Sequence, residues 1–130
     1  MMNIPKELKY SKDHEWVKVE GNTATIGITD YAQSQLGDVV FVELPEAGAE
    51  LAVGAGLAVV ESVKAVSDVY TPISGKVIAG NESLADAPEI VNQDPYGEGW
   101  IVKLEITDSA KFNELLDSEA YAQLVAEGGH

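Results

Sequence analysis

The 130-residue chain has no cysteine and no arginine, and it has only eight basic residues, all lysines. Without cysteine there are no disulfides, no thiol nucleophile and no thiolate metal ligand. Any redox function has to come from a group attached to the protein. The eight lysines face 22 acidic residues, for a net charge of -14. A nucleic-acid binder needs a basic stripe for phosphates, and an anionic membrane repels such a surface. No nucleic-acid or membrane partner is therefore expected. An acidic coat suits solubility and steering toward basic protein partners.

Long apolar runs are missing too, and the N-terminus Met1 to Glu7 has no signal-like apolar centre. The expectation is a soluble protein acting in the cytoplasm. Histidine occurs twice, at His14 and His130, which argues against a transition-metal site. No phosphate-binding glycine loop, zinc-protease helix or nucleophile elbow is present. Asp86, Glu89, Asp94 and Glu98 fit no calcium-loop spacing. His14 lies between Asp13 and Glu15 and reads as a surface histidine before a core Trp16. Neither histidine has a neighbouring nucleophile that would make a dyad.

What is present centres on Val59 to Tyr70. Two valine-rich runs flank Lys64, the only basic residue between Lys18 and Lys76. Such β-branched runs predict a hairpin with Lys64 at or beside its tip. The tip lacks Gly, Asn and Pro. A type I turn or a slightly longer loop is expected there, not a primed two-residue turn. An ammonium belongs in water, so Lys64 is expected to point outward.

The rest of the chain reads as short strands with Gly and Pro punctuation. Residues 1–12 form an irregular arm anchored by Leu8 and Tyr10. Strands are expected at Glu15 to Val19 and Thr23 to Ile28, then a short helix capped by Thr29 and closed by Gly37. Val39 to Leu44 is nearly continuous in apolar character, which suggests a core strand. Strands at Leu57 to Val63, Ala65 to Tyr70 and Lys76 to Ala79 come next. Asn81 to Gly99 is a polar connection with one helical turn near Ser83 to Ala87. Trp100 to Ile106 returns as a strand. Residues 108–127 read as helix, with Phe112, Leu115 and Leu116 on one face, a restart at Asp117 or Ser118, and a stop at Gly128 and Gly129. The pattern fits one mainly β domain with a helical C-terminal region.

By chemistry, Lys64 is the remaining candidate. A Schiff-base lysine needs desolvation, which an exposed hairpin does not provide. An attachment point needs the opposite: a rigid root and a free amine. A tethered group gains effective concentration at any docked partner.

The motifs around Lys64 resemble a known family. Glu61-Ser62-Val63-Lys64-Ala65, Ser67-Asp68-Val69 and Pro72 to Val77 are similar to the lipoyl-lysine region of the glycine cleavage system H proteins. His14 to Val17, Ala24 to Ala32 and Leu36 to Pro45 resemble the first half of that family. Asn92, Pro95-Tyr96 and Gly99-Trp100 resemble the family's loop and strand beyond the lysine region. Biotin carriers usually flank their lysine with methionines, and acyltransferase lipoyl domains usually place aspartate before it. Val63 and Ala65 match neither.

The resemblance implies a hybrid barrel-sandwich, lipoyl-domain-like fold with short peripheral helices and a C-terminal helical segment. Residues 1–130 would form a single lipoyl-carrier domain, with 108–127 the helical region. It implies lipoate in amide linkage to Lys64, with Glu61 read by the lipoate-attaching enzyme. Glu15 and Asp68 would line a cleft for the loaded arm. Lys12 and Asp13 stand where many family members have proline and serine. Gly75 is expected at a bend facing the hairpin. The implied role is a carrier, not an enzyme. It would take the aminomethyl group of glycine from the pyridoxal-phosphate glycine decarboxylase to the tetrahydrofolate-dependent aminomethyltransferase. Dihydrolipoyl dehydrogenase would then reoxidise it. A monomer is expected. The alternative is a non-catalytic lipoyl relay or regulatory interaction module.

Overall fold

Alternation of apolar and polar residues sets up two faces on each strand, and the chain uses both. In the computed structural model, which describes residues 3–108 and 112–128, the chain enters through β1 (Lys9–Tyr10) and β2 (Glu15–Glu20). It turns at Gly21, whose φ of 64° suits glycine, and returns as β3 (Thr23–Ile28). Helix α1 (Asp30–Leu36) begins where the Thr29 side chain accepts the Ala32 N–H, and ends at Gly37 with φ 83°. Strands β4 (Val39–Glu43) and β5 (Glu50–Leu51) come after it. The valine-rich run becomes β6 (Gly56–Ser62) and β7 (Val66–Tyr70), and β8 (Ser74–Gly80) comes next. Two single-turn helices, α2 (Ser83–Asp86) and α3 (Ile90–Gln93), precede β9 (Val102–Asp108). A 3₁₀ turn at Phe112–Glu114 and helix α4 (Ser118–Ala126) close the fold.

The strands form a six-stranded sheet, ordered β1-β2-β3-β9-β8-β5, and a three-stranded sheet, ordered β4-β6-β7. All these pairings are antiparallel. The mainly β sandwich with short peripheral helices agrees with the sequence expectation. Between the sheets lies an aliphatic core that includes Val17, Ile26, Leu57, Val60, Val69 and Leu104. Each such side chain contributes about 1.5–3 kcal/mol on full burial.

A second, aromatic core lies on the other face of β2. Trp16, one residue before Val17, packs with Leu8, Tyr10 and Tyr121. Its indole lies against Gly27, its cross-strand partner, where a Cβ would come within 2.7 Å of the ring. The indole N–H donates to the Pro95 carbonyl at 2.9 Å and so ties the long connection to the sheet.

Several expectations are corrected. β4 is an edge strand. A bulge between Val39 and Phe41 breaks the alternation, and Val40 and Phe41 are both exposed, at 54% and 49%. The N-terminal arm is not wholly irregular: Lys9–Tyr10 pairs with β2, and Tyr10 also exchanges backbone hydrogen bonds with Leu116. The 81–99 connection contains α3 as well as the expected turn, and both helices bury an apolar side chain, Leu84 and Val91. The expected helix from residue 108 starts later. Thr107 and Asp108 belong to β9, and Asp117 caps α4 by accepting the Ala120 N–H. The helix expected through residues 109–111, the stop at Gly129 and the terminal His130 lie outside the described residues. Gly75 is not at a bend beside the hairpin. It lies within β8 opposite Ile106, where a Cβ would sit 2.7 Å from the Glu105 carbonyl oxygen.

Candidate functional site

The hairpin of β6 and β7 carries Lys64 where the sequence predicts it. Ser62 N–H donates to the Ala65 carbonyl, closing the turn over Val63 and Lys64. The Ser62 hydroxyl oxygen accepts the Lys64 and Ala65 N–H groups at 3.2 and 3.0 Å. Serine thus satisfies amides that the turn frees, a local role for which its short side chain is suited. The one non-glycine residue with positive φ among the described residues is His14. The hairpin turn is therefore not a primed type, as expected. Lys64 is exposed, and its neighbours Val63 and Val66 are 70% and 66% exposed.

Next to this tip is a cleft of about 210 Å³. Its walls come from both sheets and from α1. Ile28, Leu36, Val60 and Val69 supply apolar surface; His14, Glu15 and Asp68 supply polar groups. The Lys64 side chain runs beside the cleft's helical wall. Its Cε is 3.5 Å from where a Gly37 Cβ would be, and Gly37 comes directly after Leu36. The positive φ at Gly37 favours glycine.

Glu15 is 3% exposed, a rare position for a carboxylate. Its Oε1 accepts from the Ser11 hydroxyl, and its Oε2 accepts the Tyr70 N–H at 3.2 Å. Glu15 thereby bridges β2 of the large sheet to β7 of the small one. Burial pushes its pKa up to about 7, against the opposing pull of those two hydrogen bonds, with nearby Asp13 adding a smaller upward effect. Asp68 is exposed on β7 opposite Val59. The structure thus brings Glu15 and Asp68 to one cleft. Glu61 does not line it. It is half-buried on β6, three residues before Lys64, opposite Phe41 on one side and Val66 on the other.

Sequence alone does not reveal the setting of His14. The residue is half-buried, not a plain surface histidine, and has φ 70°. Histidine enters this backbone region more readily than most residues. Its ring packs against Tyr31 and edge-on to Tyr121, and Nδ1 lies 2.7 Å from the Tyr121 hydroxyl. That partner is 107 residues away in sequence. Neither the backbone conformation nor the partner leaves a local signal. The His14-Glu15-Trp16 run is the sole trace.

The residues fit an acylated lysine. Acylation removes the ammonium charge and leaves an uncharged aliphatic arm. The apolar wall beside Gly37 matches such an arm, and the carboxyl groups of Glu15 and Asp68 that line the cleft match a cationic load at its end. No group of three or more metal-ligating side chains occurs among the described residues. Nor does any helix among them have the length and apolarity to cross a membrane.

Comparison with known proteins gives a consistent result. Residues 8–128 match the glycine cleavage H-protein family. The glycine cleavage system H protein of Symbiobacterium thermophilum is 59% identical over 128 residues, covering 98% of this chain and 100% of that protein. That of Carboxydothermus hydrogenoformans is 54% identical over 129 residues, covering 99% of each. The crystal structure of a glycine cleavage system H protein from Mycobacterium marinum superposes with a TM-score of 0.87 at 37% identity, covering 95% of this chain and 99% of that one.

Proposed function

The chain belongs to the glycine cleavage H-protein family, whose members are lipoyl carriers and not enzymes, and from that premise we propose that Lys64 is the residue that carries the lipoyl group. The observation that supports this most is the position of Lys64: an exposed amine on a tight turn, its methylenes against Gly37 at the edge of a two-sheet cleft. Held on Lys64, a lipoyl group would supply a redox-active disulfide suited to carrying an aminomethyl unit between a pyridoxal-phosphate glycine decarboxylase and a tetrahydrofolate-dependent aminomethyltransferase, with dihydrolipoyl dehydrogenase as the reoxidising partner.

The chain's own residues set the conditions for that chemistry. The turn at Ser62 holds the root of the arm still while leaving its end free. Ile28, Leu36, Val60 and Val69 give the cleft apolar surface that excludes water. Asp68 offers a carboxylate to an ammonium in the cleft. Glu15, with a pKa near 7, can hold or release a proton there. We assign Glu61, on the hairpin but outside the cleft, to recognition by the lipoate-attaching enzyme. Residues 1–130 are proposed as a single carrier domain, and a cytoplasmic setting and monomeric state belong to the same reading.

The test is glycine-dependent reduction of the lipoylated protein by the decarboxylase, followed by transfer of the one-carbon unit to tetrahydrofolate by the aminomethyltransferase. Transfer through the wild type supports the shuttle. A lipoylated protein that neither enzyme accepts contradicts it.

A further inference from the structure

Tyr121 lies on α4, fully buried, with its ring stacked on Tyr10 at 4.6 Å between centroids. Packing alone would be served by phenylalanine. The hydroxyl has a more specific use. Its oxygen is 2.6 Å from Thr29 Oγ1 and 2.7 Å from His14 Nδ1. Thr29 caps α1, one wall of the cleft, and His14 is itself a lining residue. One buried hydroxyl therefore joins the C-terminal helix to the cap of α1 and to a residue that lines the cleft.

The direction of these hydrogen bonds comes from counting protons. A hydroxyl has one proton to give. The Thr29 oxygen already accepts the Ala32 N–H, and Thr29 is fully buried. If Tyr121 donated to Thr29 as well, the Thr29 proton would need another acceptor in a buried setting, at the cost of an unmade bond. The arrangement that gives both hydroxyl protons an acceptor runs the other way. Thr29 donates to Tyr121, and Tyr121 donates to His14 Nδ1. His14 then carries its proton on Nε2.

The backbone pins the same residue. His14 accepts the Thr29 N–H at its carbonyl, 3.0 Å away, and donates its own N–H to the Ser11 carbonyl at 3.2 Å. With φ at 70°, the residue occupies a region that its surroundings must hold.

We propose that Tyr121 is a positioning residue for the arm cleft: its hydroxyl fixes the tautomer and plane of His14 and ties that ring to the cap of α1, so that the loaded arm meets a preformed wall. This rests on the carrier reading above, and the C-terminal helix becomes part of the cleft's construction although no α4 side chain lines it.

The experiment uses lipoylated wild-type protein, Tyr121→Phe, Thr29→Val and Thr29→Ser. Phenylalanine keeps the stacked ring and removes the hydroxyl alone; serine keeps the Thr29 donor. Nitrogen-15 NMR of the His14 imidazole reads the tautomer directly, with signals assigned through His130→Asn. The wild type and T29S should show an unprotonated Nδ1, and Y121F a mixture of tautomers. In parallel, each protein is loaded by the decarboxylase with glycine, and loss of the load is timed without the folate enzyme. Loss should be several-fold faster in Y121F and T29V, and near wild type in T29S. An unchanged tautomer in Y121F overturns the relay. A changed tautomer with unchanged load lifetime overturns its role in the cleft. Failure of the wild type to load overturns the carrier reading instead, while the tautomer result still decides the relay.

Discussion

The hairpin tip and the aromatic layer behind the cleft solve opposite problems. At the tip, Val63, Lys64 and Val66 are exposed and the turn is held by short-range bonds around Ser62. Behind the cleft, Tyr10, Thr29 and Tyr121 are fully buried and tied across the chain, Tyr10 to Leu116 through the backbone and Thr29 to Tyr121 through their hydroxyls. A residue that an enzyme must reach and modify cannot also be part of a core. On the proposed reading the cleft receives a moving arm, and its walls must then hold still. The fold separates the two, so changes at the tip should alter function with little effect on stability, and changes in the aromatic layer should do the reverse.

The sharpest test of that separation is Lys64→Arg. Modification should vanish completely, while stability in urea stays within about 0.5 kcal/mol of wild type, as for other exposed sites. A large loss of stability would mean that the tip is part of the framework. Gly27→Ala probes the opposite region. Its Cβ would come within 2.7 Å of the Trp16 ring, which is buried and tied to Pro95. A loss of about 1–3 kcal/mol is expected from overpacking. Tryptophan fluorescence during denaturation measures it, and the folded fraction should still be lipoylated at the wild-type rate.

Glu15 belongs to both regions, since it is buried and also faces the cleft. Its pKa is raised from 4.5 to about 7 in the folded chain. Between those values the folded state binds more protons than the unfolded state. Its contribution to stability is therefore full below pH 4.5 and is lost as pH rises through 7. Glu15→Gln should remove that loss. The variant should gain about 1–3 kcal/mol relative to wild type between pH 4 and pH 8, and denaturation at the two pH values measures the difference. A constant difference would show that Glu15 does not titrate in this range. Ser62→Ala is the mildest change. Amide exchange at Lys64 and Ala65 should quicken, with a stability change of about 1 kcal/mol or less.

The sequence reveals these two regions unequally. The hairpin is legible because its signals are local: β-branched valines, a lysine that must face water, and a tip without Gly, Asn or Pro. The cap at Thr29 and the stop at Gly37 are legible for the same reason. β4 reads as a core strand but is not one, because a one-residue bulge turns both Val40 and Phe41 outward, and a bulge leaves no mark on an apolar run. The four-residue α3 lies between Pro88 and Pro95 and is too short to show helical periodicity. Within the candidate site, Glu15 and Asp68 are visible only through family resemblance, since nothing in their spacing joins them. The bond between His14 and Tyr121 spans the whole fold, and no pattern within a window of sequence reports it.

Everything proposed for the cleft depends on the amine of Lys64 being the point of modification. The most direct test is the intact mass of the chain produced with a lipoate-attaching enzyme, followed by fragmentation to locate the added group. One lipoyl increment is expected on Lys64, and none in K64R. An increment on any other lysine, or none in the presence of a competent attaching enzyme, would contradict the assignment.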